Sequence, residues 1–207
     1  MSATTRVAII DAHPMFRVGI AQLLRSAGGC EIVAEGAGLE DLFRLARQQA
    51  PDVMVADLHL AFCPDALRRF ADEFPATRLL MLAVIADDDH VLAALQSGAA
   101  GYLRKGASGS ELIWAVRQVH RGGQYVDGSI AVRLLQGTFA GKTGPDPSAV
   151  LTDREQQILE RLTRGLTSKQ ISRELALSER TMGDTITALL DKLQVRSRLH
   201  AALNRQS

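Results

Sequence analysis

The chain is poor in cysteine, in aromatic residues and in long apolar runs. Its 207 residues include two cysteines, Cys30 and Cys63, neither in a CxxC pair. Neither a disulfide framework nor a cysteine zinc site is therefore expected. Phe, Trp and Tyr make up 4% of the chain, too few for the stacking platforms that RNA-binding modules use. The longest apolar run, Leu79 to Ala86, falls far short of the roughly 20 residues of a membrane helix. The first run, Val7–Ile10, stops at Asp11, too short for the apolar region of a signal peptide. Charge of one sign is missing too. With 24 Lys and Arg against 23 Asp and Glu, the net charge is +1, which excludes a uniformly basic coat for nucleic acid. What is present is 46% hydrophobic and 23% charged residues, enough apolar surface to offset the chain entropy of folding. A cytoplasmic protein with an aliphatic core is the expectation.

The charge is unevenly spread. Residues 1–137 hold 13 basic and 15 acidic residues, net −2, and residues 138–207 hold 11 and 8, net +3. Between them, Thr138 to Ser148 is rich in Gly and Pro and reads as a linker. Before it, the short apolar runs Val7–Ile10, Ile32–Ala34, Val53–Ala56, Leu79–Ile85 and Gly101–Leu103 have the length of buried parallel strands. Helical periodicities alternate with them, from Phe16, Ile20 and Leu23 to Leu112, Val116 and Val119. Five β-α units predict an α/β doubly wound, five-stranded parallel sheet, with its site at the carboxyl ends of the strands. A further short helix is predicted at 129–136. The second part is all helical. Thr152-Asp-Arg-Glu155 is a capping box, Ser168 and Ser178 can each cap a helix, and Ala176-Leu-Ser178 between them has helix-turn-helix spacing. A terminal helix is predicted from Ser197.

Several enzyme signals fail. Gly141-Lys-Thr143 has Gln136 where a phosphate loop needs its first glycine, and Gly36-Ala-Gly38 has Asp41 where a dinucleotide fingerprint needs its third. Gly106-Ala-Ser108-Gly-Ser110 is no nucleophile elbow. The five histidines, His13, His59, His90, His120 and His200, show no ligand spacing. Asp87-Asp-Asp89 reads as capping of a helix dipole, and Cys63 as structural. No enzyme is expected.

What survives is a carboxylate pair. Asp11 ends the first strand and Asp57 the third, and Lys105 follows the fifth. The arrangement reads either as a strand end closed by a salt bridge or as a phosphoryl-acceptor site. In the second reading Asp57 is the nucleophile and Lys105 balances the developing charge.

The chain resembles a response regulator of the NarL/FixJ subfamily, a receiver joined to a LuxR-type helix-turn-helix. The segments that carry the resemblance are Val7-Ala-Ile-Ile-Asp-Ala-His-Pro14, Pro51-Asp-Val-Met-Val-Ala-Asp57-Leu58, Gly98-Ala-Ala-Gly-Tyr-Leu-Arg-Lys105, Leu151-Thr-Asp-Arg-Glu155, Ser178-Glu-Arg-Thr181 and Lys192-Leu-Gln-Val195. It implies a receiver over 1–123, an extra helix and linker over 124–149, and the DNA-binding domain over 150–207. It makes Asp57 the phosphoacceptor position, Lys105 the invariant lysine and Tyr102 the switch aromatic. It also implies promoter DNA, a homodimer and a cognate histidine kinase or other regulator as partners.

The sequence departs from that pattern in places that matter. Where the family ends its first strand with two acidic residues, this chain has Asp11 and Ala12. Mg²⁺ takes near-octahedral oxygen ligands, so with Asp57, water-bridged Asp11 and a carbonyl near His59 remaining, binding is expected to be weak or absent. Ala83 stands where the family has Thr or Ser, while Leu60-Ala61 and Asp65 replace its Met-Pro and Gly. A receiver that does not switch by ordinary Mg²⁺-dependent phosphorylation is the leading expectation. In it, Ala83 leaves room for Tyr102 to turn inward without a phosphate. The alternatives are a conventional regulator with a weakened pocket, and a protein–protein module that heterodimerises with or antagonises other regulators.

The recognition helix is also unusual. With Met182, Ile186, Leu189 and Leu193 inward, a 3.6-residue period puts Arg180, Asp184, Thr187 and Asp191 outward, one positive charge against two negative. Arg180 is the expected guanine contact and Asp184 a possible acceptor for a cytosine amino group. Lys169, Arg173, Lys192 and Arg196, with Arg198 beyond, are the expected phosphate contacts.

Overall fold

A computed structural model describes residues 4–57, 63–84, 88–126, 151–164, 166, 168–178, 181–182, 184–185 and 188–189. The chain forms two compact units, Met1–Tyr125 and Val126–Ser207.

The first unit alternates strand and helix: β1 (Thr5–Ile10), α1 (Pro14–Ser26), β2 (Cys30–Gly36), α2 (Leu39–Gln49), β3 (Val53–Asp57), α3 (Pro64–Glu73), β4 (Arg78–Ala83), α4 (Asp88–Gln96), β5 (Gly101–Arg104) and α5 (Gly109–His120), followed by β6 (Tyr125–Val126). The sheet order is β2-β1-β3-β4-β5-β6, and the pairs from β2 through to β5 are parallel. Helices on both faces explain why β3 and β4 read as nearly unbroken apolar runs. The edge strand β2 exposes Glu31 and Glu35, charges that discourage pairing with another chain. On one face, Ile20 and Leu24 of α1 and Leu112 and Val116 of α5 pack on Val7, Ile9, Val55, Leu82 and Leu103.

The structure departs from expectation at two points. The sheet has six strands rather than five, and the sixth, Tyr125–Val126, falls where a linker is expected. Two residues carry no periodicity, so nothing local announces the strand. Its position is set by distant contacts. Tyr125 N–H donates to Ala100 O at 3.2 Å, its hydroxyl donates to Glu111 at 2.7 Å, and its ring meets Trp114 edge-on at 5.1 Å. Gly101 permits the approach, since a Cβ there would lie 2.8 Å from the Tyr125 carbonyl. Second, β4 ends at Ala83, before an exposed Val84. Helix α3 has Pro64 in its first turn, where the missing N–H costs nothing.

In the second unit, α6 (Asp153–Thr163) and α7 (Ser168–Glu174) precede further helical turns at 181–182, 184–185 and 188–189. The capping box is present, with Thr152 N–H donating to Glu155 at 2.7 Å and Glu155 N–H to Thr152 Oγ1 at 3.3 Å. Ser178 caps the third helix, accepting from Thr181 N–H at 3.0 Å. Between α7 and Ser178 the chain turns through Ala176 in the left-handed region at φ 52°. Ile158, Ile171, Met182 and Leu189 form the core. The expected helix at 129–136, the linker and the terminal helix lie outside the described residues, as do Ile186 and Leu193.

Candidate functional site

The register of β1 and β3 builds the site. The last pair is Ile10 with Ala56, so the next residues, Asp11 and Asp57, face each other where the two strands stop. Both are buried. Lys105 comes from the turn after β5, where its N–H donates to Ala83 O at 2.7 Å. This backbone bond aims the side chain across the strand ends. Its Nζ lies 2.6 Å from Asp11 Oδ2 and 2.7 Å from Asp57 Oδ2, with the ammonium stem almost fully buried. The ammonium also sits 4.7 Å from the centre of the Phe16 ring, a cation–π contact.

Electrostatics follow from this geometry. Burial alone pushes the Asp11 carboxyl upward, but Lys105 and the N–H groups of His13 outweigh it and hold Asp11 below its ordinary value. Burial pulls Lys105 down, and the two carboxylates more than reverse this, so its pKa is raised. Asp11 and Lys105 therefore each hold the other in its charged form.

Two neighbours went unnoticed in the sequence. His13, set aside above for lack of ligand spacing, donates its backbone N–H to Asp11 Oδ1 at 2.8 Å, and its Nδ1 lies 2.9 Å from the same oxygen. Asp11, His13 and Asp57 offer ligand-type atoms all within 4.8 Å of one another. An aspartate two residues before a histidine at a strand end was the available signal. Arg17, one turn into α1, donates to the Asp11 backbone carbonyl at 2.5 Å and reaches toward Glu35 at 3.8 Å.

The other predicted pocket residues are placed as follows. Ala12 is exposed beside Asp11. Ala83 and Tyr102 are both fully buried. Because Met81 pairs with Tyr102 and side chains alternate along a strand, Met81, Ala83 and Tyr102 share one face of the sheet. Tyr102 thus points inward. Asp65 opens α3, exposed and bonded to Arg68 at 3.0 Å, and Cys63 is its exposed N-cap residue. His59, Leu60, Ala61 and Asp87 lie outside the described residues, while Asp88 and Asp89 open α4.

Comparison with known proteins decides the family. Residues 7–117 match the response regulator receiver domain, and residues 149–204 match the bacterial regulatory proteins of the luxR family. The chain belongs to the LuxR-type response regulators. It is 30% identical over 202 residues, 93% of each chain, to the oxygen regulatory protein NreC of Staphylococcus carnosus. It is also 30% identical over 191 residues, 91% of this chain and 88% of the other, to the response regulator UvrY of Escherichia coli K12. Among solved structures, a two-component response regulator of the LuxR family from Aurantimonas sp. SI85-9A1 superposes with a TM-score of 0.62 at 29% identity. That match covers 66% of this chain and 99% of the other. A receiver and a DNA-binding helix-turn-helix in one chain make this a response-regulator transcription factor. No helix among the described residues is long and apolar enough to cross a membrane.

The expected DNA-contacting residues are only partly placed. Arg173 is exposed on α7, Lys169 lies on the same helix, and Asp184 is exposed in the third helix. Arg180, Thr187, Asp191, Lys192, Arg196 and Arg198 lie outside the described residues.

Proposed function

We propose that this regulator binds promoter DNA as a homodimer and that its receiver does not switch by conventional Mg²⁺-dependent phosphorylation. The observation that carries the reading is Tyr102, fully buried on the sheet face it shares with the methyl of Ala83. In the family a hydroxyl at the Ala83 position joins the phosphoryl group to the switch aromatic. Here that hydroxyl is absent, and the aromatic is nonetheless fully buried beside the methyl.

The Mg²⁺ that the receiver family implies fits this donor set poorly. The cation needs about six oxygen ligands in near-octahedral geometry. Asp11 and Asp57 already share the Lys105 ammonium, the third nearby ligand atom is an imidazole nitrogen, and Ala12 contributes a methyl. A cognate kinase, in this reading, is not the main input.

DNA affinity then rests on phosphate contacts from Lys169, Arg173, Lys192 and Arg196, and base reading on Arg180, Asp184 and Thr187. The test uses the full chain with acetyl phosphate and Mg²⁺, read by intact-mass spectrometry beside a DNA-shift assay. The expected result is an unmodified Asp57 and DNA binding that does not depend on the phosphodonor. Stoichiometric modification of Asp57 with tightened DNA binding overturns the proposal and leaves a conventional regulator.

A further inference from the structure

The two carboxyl groups at the strand ends have an imidazole for a neighbour. Asp11 Oδ1 faces His13 Nδ1 at 2.9 Å, and Asp11 Oδ2 faces the Lys105 ammonium at 2.6 Å. His13 Nδ1 and one oxygen each from Asp11 and Asp57 lie within 4.8 Å of one another. Among the described residues, this is the one such group of three His, Cys, Asp or Glu ligand atoms.

The backbone under these ligands is pinned. Asp11 N–H donates to Gly36 O at 3.1 Å, and His13 O accepts from the N–H groups of Phe16 and Arg17, both at 3.1 Å. Asp11 and Asp57 are held at their strand ends, almost wholly buried. The imidazole is different. Its side chain is 72% exposed, so it has room to turn and stands on the side from which an ion enters. Asp11 also has acceptor capacity to spare. Its buried Oδ2 has the Lys105 ion pair and no well-directed hydrogen bond among the described residues, whereas an ionised carboxylate offers about four acceptor sites.

We infer that Asp11, His13 and Asp57 bind a borderline divalent transition ion, represented by Zn²⁺, more tightly than they bind Mg²⁺. Ligand chemistry makes the choice. Mg²⁺ takes an all-oxygen shell, whereas an imidazole nitrogen suits Zn²⁺ and its neighbours in the first transition row. With a methyl at Ala12, the next side chain along is that imidazole. Zinc is also content with three protein ligands and a water, which is the number present. Geometry agrees. Tetrahedral zinc with bonds of about 2.1 Å sets its ligand atoms about 3.4 Å apart, so the group tightens by about 1.4 Å at most, a movement the exposed imidazole can supply. Lys105 stands at the other oxygen of Asp11, so the ion replaces the imidazole–carboxylate contact and leaves the ammonium in place. As an input to the receiver, the ion rests on the reading that Mg²⁺-dependent phosphorylation is not the switch. Its binding does not.

The test is isothermal titration calorimetry of the full chain, stripped of metal by a chelator, with Zn²⁺ and with Mg²⁺. One Zn²⁺ per chain is expected, bound about a hundredfold or more tighter than Mg²⁺. His13→Ala should lose about tenfold or more in Zn²⁺ affinity and leave the response to Mg²⁺ unchanged. His13→Gln repeats the test should His13→Ala fail to fold. Cys63, an exposed thiol, is the rival zinc ligand, so Cys63→Ser should bind Zn²⁺ as the parent does. Absent Zn²⁺ binding, equal affinity for Mg²⁺ or undiminished binding by the His13 variants overturns the inference. So does a site lost in Cys63→Ser, which would put the ion elsewhere. Phosphorylation of Asp57 by acetyl phosphate and Mg²⁺ would overturn the earlier reading and leave the Zn²⁺ isotherm in place.

Discussion

Lys105 holds its ammonium 2.6 Å from Asp11 at the ends of two strands, with both side chains more than nine-tenths buried. The same ammonium serves Asp57. Removing it leaves two like charges facing each other out of water. Breaking a buried pair from one side costs about 3–5 kcal/mol, so Lys105→Met should lower unfolding free energy by about that amount in urea denaturation. The loss should shrink when Asp11→Asn is added, because one of the stranded charges is gone. A Lys105→Met protein as stable as wild type would mean that the carboxylates are not jointly ionised.

The pH dependence of stability follows from the same contacts. Asp11 is held below its ordinary value of 3.8, so its contribution is present above the unfolded-state pKa and is lost as pH falls through the lower folded value. Lys105 is raised above 10.5, so its contribution is complete below that value and is lost as pH rises through the folded one. Between these limits neither group makes stability vary. Thermal unfolding should therefore show a plateau through neutral pH, an acid loss beginning below about pH 4 and an alkaline loss above about pH 10. Asp11→Asn should blunt the acid limb. An unchanged acid limb in that variant would remove Asp11 from the account.

Much of this was legible in the sequence. Asp11 and Asp57 each stand directly after an apolar run of strand length and Lys105 two residues after another, and the doubly wound rule carries them to one edge. What pattern does not reveal is contact without periodicity. Tyr125–Val126 is too short to alternate, and it is a strand only because Gly101, Glu111 and Trp114 receive it. His13 belongs to the site through a bond to a residue two positions away, a contact that carries no periodicity.

The sixth strand makes its own prediction. Tyr125→Phe keeps the ring against Trp114 but leaves Glu111 without the hydroxyl donor at 2.7 Å. A hydrogen bond to a charged acceptor of this partly buried kind contributes about 1–2 kcal/mol. Trp114 is the sole tryptophan, so its fluorescence reports the region directly. The denaturation midpoint should fall while the emission of the folded protein stays nearly unchanged. A midpoint equal to wild type would mean that Glu111 finds another donor at no cost.

DNA binding by the second unit should depend on charge more than on sequence reading. Arg173 is exposed on α7, the helix that in this motif crosses the phosphate backbone. Arg173→Ala should weaken specific and non-specific duplexes alike and reduce the slope of log K against log salt by about one. Asp184→Asn, which removes a negative charge from the groove-facing helix, should tighten non-specific binding instead. Fluorescence anisotropy across a salt series measures both. A specific loss confined to one operator base in Arg173→Ala would assign it a reading role in place of a positioning one.

A carboxylate at position 12 would restore what the pocket lacks. Ala12 is exposed beside Asp11, so Ala12→Asp adds a carboxylate without filling the core. Three carboxylates then face one ammonium, a repulsion that destabilises the fold until a divalent cation relieves it. A ligand that binds only the folded state stabilises by an amount that grows with its concentration, about 2.7 kcal/mol at a hundred times Kd. Mg²⁺ should therefore leave the melting temperature of wild type unmoved and raise that of Ala12→Asp in a saturable way. Adding Ala83→Thr places the missing hydroxyl on the Tyr102 face, at a packing cost of about 1–3 kcal/mol in this fully buried position. With acetyl phosphate and Mg²⁺, the double variant should accept phosphate on Asp57 where the parent does not. If Mg²⁺ stabilises the wild-type chain as strongly as Ala12→Asp, the loss of the second acidic residue is not what sets this pocket apart.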